Sequence, residues 1–207
     1  MRVGRTLLAI VGATVLFGAL ATAASARNLS TSNQQIRAQW REVRFSGLFG
    51  TATCQITVEG SFHERTTAKV VGRLVGYIFR VRLGPCASGT ATILTETLPW
   101  HVTYAEFSGT LPNITAINAK ATNVSFTVRT PEGFNCLARS TAEAPVIGNF
   151  IRDIATGAIT GSNVGGGGGG GGEGIPTSCG LNGSFNSDRG IVRLTTSGAT
   201  LIFITLI

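Results

Sequence analysis

Between Thr51 and Phe62 the chain alternates cleanly. Cys54, Ile56 and Val58 take one face, and Thr53, Gln55, Thr57 and Glu59 the other, which is the period of a half-buried strand. The preceding IRAQWREVRF supports two readings. Ser32 with Gln35 resembles a helix capping box, and Ile36, Trp40 and Val43 share a helical face. Ile36, Ala38 and Trp40 also alternate as a strand, which Val43 and Phe45 continue after a slip. The strand is preferred because the residues that follow are strand-like. Farther on, Tyr77, Phe79, Val81 and Leu83 are expected on one face of a strand and Arg80 and Arg82 on the other, with Gly84-Pro85 ending the run. ATILTETL, WHVTYAEF, NITAIN and ATNVSFTVRT follow as short strands, most of them separated by Gly, Pro or Asn. Ala142 to Thr160 has no clear period. Eight consecutive glycines, Gly165 to Gly172, predict a flexible loop over 161–174. Near the end, Ser197-Gly198 marks a hairpin turn. The last strand, LIFITLI, is apolar on both faces, so it is expected to be central and covered on both sides.

Many short strands with turn residues between them predict an all-β, antiparallel fold. A sandwich is placed ahead of a partly closed barrel. Composition agrees: charged residues are only 13%, and Thr, Ser, Val and Gly dominate the middle of the chain. An outer-membrane barrel is disfavoured, because aromatics are 7% and cannot furnish two girdles.

The first 26 residues read as a cleaved signal peptide. Arg2 and Arg5 precede an apolar run, and Ala24-Ser25-Ala26 supplies the small residues of a cleavage site. Residues 27–207 then form one secreted domain, outside the cell or in its envelope, with no transmembrane span after cleavage. Cys54, Cys86, Cys136 and Cys179 remain, an even count that reads as two disulfides in an exported chain. Cys54–Cys86 and Cys136–Cys179 are favoured, since neighbours in sequence meet most readily. With no CxxC pair and no histidine at ligand spacing, no metal and no cofactor are expected.

Candidate chemistry is sparse. WHVTYAEF gathers Trp100, His101, Tyr104 and Glu106, but a regular strand places Trp100, Val102, Tyr104 and Glu106 on one face and His101 and Phe107 on the other. Trp100, Val102 and Tyr104 therefore read as a core stripe with a polar tip. The chain has two histidines, His63 and His101, no GxSxG elbow, and no carboxylate pair singled out among Glu59, Glu64, Glu96 and Glu106. No catalytic residue is assigned. The glycine run is not a phosphate loop, because no Gly-Lys-Ser/Thr follows it.

The net charge of +7 becomes +5 without Arg2 and Arg5. Arg65, Lys69, Arg73, Arg80 and Arg82 lie in a stretch with no acid between Arg65 and Arg82, a candidate surface for anionic polymers. No module for specific nucleic-acid recognition is present. CQITVEGSFHERTTAKV, GTATILTETLPWHVTYAEFSGTLPNIT and the apolar end together make the chain resemble a group of secreted proteins from high-GC soil actinobacteria. That resemblance implies export, a β-rich fold and two disulfides, and brings no activity or catalytic residue. The expected function is a non-catalytic extracellular or cell-envelope protein that binds an anionic polymer or a protein partner. A hydrolase of an extracellular polymer using Glu96, Glu106 or the histidines, and a structural protein self-associating through sheet edges, are the alternatives.

Overall fold

The computed structural model describes residues 28–47, 50–166, 175–179, 184–187, 190–193 and 200–207. Residues 1–26, expected as a signal peptide, the glycines 167–172, and Ser197-Gly198, expected as a hairpin turn, lie outside them. The described regular structure is strand throughout, apart from one turn of 3-10 helix at Thr95–Thr97. The first five strands are β1 (Asn28–Thr31), β2 (Gln35–Gly47), β3 (Gly50–Phe62), β4 (Thr66–Ala68) and β5 (Leu74–Ser88). Next come β6 (Thr90–Ile93), β7 (Trp100–Thr110), β8 (Asn113–Thr122), β9 (Ser125–Arg129) and β10 (Asn135–Arg139). The last are β11 (Val146–Arg152), β12 (Ile159–Gly166), β13 (Ser184–Ser187), β14 (Ile191–Arg193) and β15 (Ile204–Leu206).

Seven strands, β2, β3, β5, β7, β8, β11 and β12, follow one another as an antiparallel meander. The segment after them closes the circle. β13 pairs with β12 through Gly166↔Phe185 and with β2 through Phe45↔Phe185. β14 continues along β2 through Ala38↔Val192, while Ser162 and Gly190 exchange backbone hydrogen bonds of 3.0 and 2.6 Å. β13 and β14 thus share one position in an eight-position, up-and-down barrel. Of the two expected architectures, the pairing is that of the barrel and not of the sandwich. Closure satisfies the strand edges that a sandwich would leave open.

Two small sheets sit at the ends. β4, β1 and β15 form one lid, and β6, β9 and β10 the other. The first lid buries Leu29, Ile202 and Ile204 against the barrel interior. In the second, Phe126 meets Phe45 of the wall with ring centroids 4.7 Å apart. Both expected disulfides are present. Cys54–Cys86 joins directly paired positions of β3 and β5, and Cys136–Cys179 ties β10 to residues 175–179.

The departures from the sequence expectations have local causes, most of them β-bulges, in which an extra residue re-aims everything after it. The slip between Trp40 and Val43 is one, as expected. Another puts Phe79 opposite nothing, since Glu59 pairs with Arg80 and Gly60 with Ile78. Phe79 is consequently 44% exposed, and Ile78, not Tyr77, faces inward with Val81 and Leu83. Gly84-Pro85 does not end β5. A further register shift between Cys54 and Ile56 absorbs it, and the strand runs on to Ser88. A bulge at Ala105 sends Glu106 outward and Phe107 inward. Residues 161–166, expected in a loop, belong to β12. The last strand is not central: β15 is the edge of a lid, where it pairs with β1 and touches the β11–β12 turn through a bond from the Ile204 N–H to the Gly157 carbonyl. Its apolar character covers the barrel end, with Ile202 and Ile204 pointing in and Phe203 out.

Candidate functional site

The inward positions of the wall follow a rule. Several strands place a small residue between two large ones: Ile36-Ala38-Trp40 in β2, Val58-Gly60-Phe62 in β3 and Val146-Gly148-Phe150 in β11. In β8, Ile117 is followed by two small residues, Ala119 and Ala121. An eight-stranded barrel is just wide enough for ordinary side chains to fill it. Small residues at the waist leave space instead. The result is an apolar chamber of about 120 Å³, roofed at one end by Leu29, Ile202 and Ile204 of the first lid. A second void of about 70 Å³ lies toward the other lid, against Phe45, Trp100 and Phe126. The two share Trp40, Val58, Ile78, Ala121, Val146 and Val164 as lining, so they adjoin.

The chamber wall is held rigidly. Trp40 donates its indole N–H to the carbonyl of Ser162 across the barrel at 3.0 Å. Trp100 is fixed by a 2.8 Å bond from its indole N–H to Thr97 Oγ1. Gly190 lies against the Trp40 indole, where a Cβ would collide with the ring. Gly60 and Gly76 allow β3 and β5 to approach closely; a Cβ on Gly60 would stand 2.5 Å from the Tyr77 carbonyl. Tyr104 contributes a phenol to the lining. Burial raises its pKa, and the charge of Glu106 adds to the effect, so the phenol is a neutral donor at neutral pH. The stripe of Trp100, Val102 and Tyr104 read from the sequence is therefore part of the interior.

On the outer wall, Arg37, Glu59 and Arg80 stand in register on β2, β3 and β5. Arg37 donates to Glu59 Oε1 at 3.1 Å from Nε and 2.7 Å from Nη2, and Arg80 to Oε2 at 2.9 Å. The Glu59 side chain is 5% exposed, covered by the two guanidinium groups. Arg80 is thus engaged by a carboxylate, while Arg82 is exposed opposite Thr57.

The five basic residues expected to act together separate into two groups. Arg65, Lys69 and Arg73 lie in the connections flanking β4, at the end roofed by the first lid. Arg80 and Arg82 lie along β5, and nine residues of strand carry Arg82 about 30 Å from Arg73. The sequence reading missed Arg37, Arg41 and Arg44 of β2, which share the outer wall with Arg80 and Arg82. Their signal was present as every third or fourth residue of IRAQWREVRF.

The two histidines converge on one tyrosine. Tyr77 faces outward between His63 and His101, with ring centroids 5.9 and 5.2 Å away and near-perpendicular planes. His63 also faces Glu64 at 3.8 Å. Glu106 points outward too, but bonds to Asn118 and sits five residues from His101 along β7. Glu96 is remote, in the 3-10 turn. Among the described residues no group of three or more His, Cys, Asp or Glu is placed to hold a metal ion.

No protein-family model, no curated protein and no solved structure matches the chain.

Proposed function

We propose that the chain is a non-catalytic secreted or cell-envelope protein that carries a compact apolar molecule inside its barrel. One observation supports this reading above the others: the small-residue belt that leaves an apolar chamber between two lids. A cavity of about 150 Å³ with apolar walls stays dry and admits benzene or xenon. The chamber here is of the same order, and the adjoining void extends it lengthwise. The chemistry of the lining asks for a hydrocarbon-like body with little polarity, for which Tyr104, Thr31 and Thr67 bring hydroxyl-bearing side chains to the lining. Disulfides at both Cys pairs fit an oxidising compartment. The expected binding of an anionic polymer has weaker support, because the basic residues fall into two groups and Arg80 is paired with Glu59.

The test is thermal unfolding of the oxidised protein with benzene, cyclohexane or hexan-1-ol, beside an Ala119→Phe variant that fills the chamber. Saturation at a hundred times Kd should add about 2.7 kcal/mol of stability to the native protein. Ala119→Phe should fold and lose that response. If none of the three probes raises the Tm of the native protein, or if the variant responds equally, the chamber is not a binding site.

A further inference from the structure

Exposed apolar side chains are not spread evenly over the barrel. Of the ten large ones among the described residues, Val70, Val71, Leu111, Ile154, Phe203 and Ile207 belong to one end, the end roofed by the first lid. Each lies where the chain turns or terminates a strand. Val70 and Val71 form the turn before β5 and are 60% and 71% exposed. Leu111 tips the β7–β8 hairpin at 51%, and Ile154 the β11–β12 turn at 48%. Phe203 and Ile207 flank β15 on the side facing away from the chamber. Single exposed aliphatics need no explanation, but a set gathered on separate loop tips at one pole does.

The same pole carries Arg65, Lys69 and Arg73. Arg152 lies there too, bonded to the carbonyls of Ile204 and Ile114. The acids of this pole among the described residues are Glu64, which faces His63, Asp153, whose carboxylate accepts the N–H and hydroxyl of Thr156 at 2.8 and 2.7 Å, and Glu106, which accepts from Asn118 Nδ2 at 3.1 Å. Four cations thus stand against three acids, each acid has a partner, and Arg65 and Arg73 are exposed. We infer that this pole docks on an anionic lipid bilayer, the aliphatic tips entering the boundary between headgroups and acyl chains and the basic residues meeting lipid phosphate. Interfacial binding of this kind combines buried apolar area with attraction to anionic headgroups. A polysaccharide or nucleic acid would use the charges and leave the aliphatic tips without a role. The inference rests on the distribution of side chains on the surface and holds whether or not the chamber is loaded.

The experiment is flotation of the full chain, expressed for export and purified oxidised, with vesicles of phosphatidylcholine alone or mixed with phosphatidylglycerol. Native protein should float with the mixed vesicles and far less with the neutral ones. A Val70→Ser/Val71→Ser/Leu111→Ser variant should lose about tenfold or more of its affinity. An Arg65→Ser/Arg73→Ser variant should lose the preference for anionic lipid and show less dependence on salt. All three positions of the first variant are exposed, and an unchanged Tm for each variant confirms an intact fold. Failure of the native protein to float with either vesicle overturns the inference. So does flotation that is unaffected by the serine triple, or retention on phosphocellulose that survives the triple while vesicle binding is absent.

Discussion

Glu59 shows how a single carboxylate can be buried on the outside of a barrel. Two arginines from neighbouring strands cover it, and their own side chains remain 39% and 53% exposed. Hydrogen bonds to charged groups are worth more than neutral ones, and losing a buried charge strands its partners. Glu59→Gln should therefore cost about 1–3 kcal/mol in urea unfolding; a cost near zero would mean that the Arg37–Glu59–Arg80 row is merely solvated. The sequence offered Glu59 only as one of several carboxylates. Its role depends on Arg37 and Arg80 arriving from 22 residues before and 21 residues after it, the first register following the slip between Trp40 and Val43 and the second the bulge at Phe79. Trp100, Val102 and Tyr104 were legible because they precede the bulge at Ala105. Glu106 and Phe107 were misplaced because they follow it.

The elements show the same division. Regular alternation in β3 and the slip in β2 could be read directly, since a half-buried strand writes its burial into every second residue. The lids could not. Three-stranded sheets of short strands leave too few residues for a period, and β15 reads as a central strand although it covers a barrel end. Backbone bonds from the Ile159 N–H to the Ile202 carbonyl and from the Ile204 N–H to the Gly157 carbonyl tie that lid to the wall, and a wall side chain adds to them. Arg152 donates to the carbonyls of Ile204 at 2.7 Å and Ile114 at 3.1 Å, pinning β15 to the β8 end. Arg152→Ala should loosen this lid without opening the barrel. Amide exchange at Ile204 and Leu29 is expected to quicken by about tenfold or more, with the β9–β10 pairing unchanged. Equal acceleration in both lids would show instead that Arg152 supports the whole fold.

For the whole molecule, the disulfide pairing followed from cysteine order, whereas closure of the ring did not, because β13 and β14 are short and their partners are distant in sequence. The two bridges span 32 and 43 residues, and chain entropy assigns each about 4 kcal/mol. Losing both approaches the total stability of an ordinary domain, about 5–15 kcal/mol. Reductant at 37 °C should accordingly abolish the near-ultraviolet circular dichroism of Trp40 and Trp100; a spectrum unchanged after verified reduction would show that packing alone suffices. Ring closure also places a condition on biosynthesis. Phe45 finds its partner Phe185 only after 140 further residues have been made. At about 5–20 residues per second, that is roughly 7–28 s during which one margin of β2 has no neighbour. A nascent strand in that position is a template for the wrong chain, and charged side chains are the usual deterrent. Arg37, Arg41 and Arg44 occupy that margin. Beyond any binding in the finished barrel, their like charges oppose the pairing of this margin with the same margin of another unfinished copy.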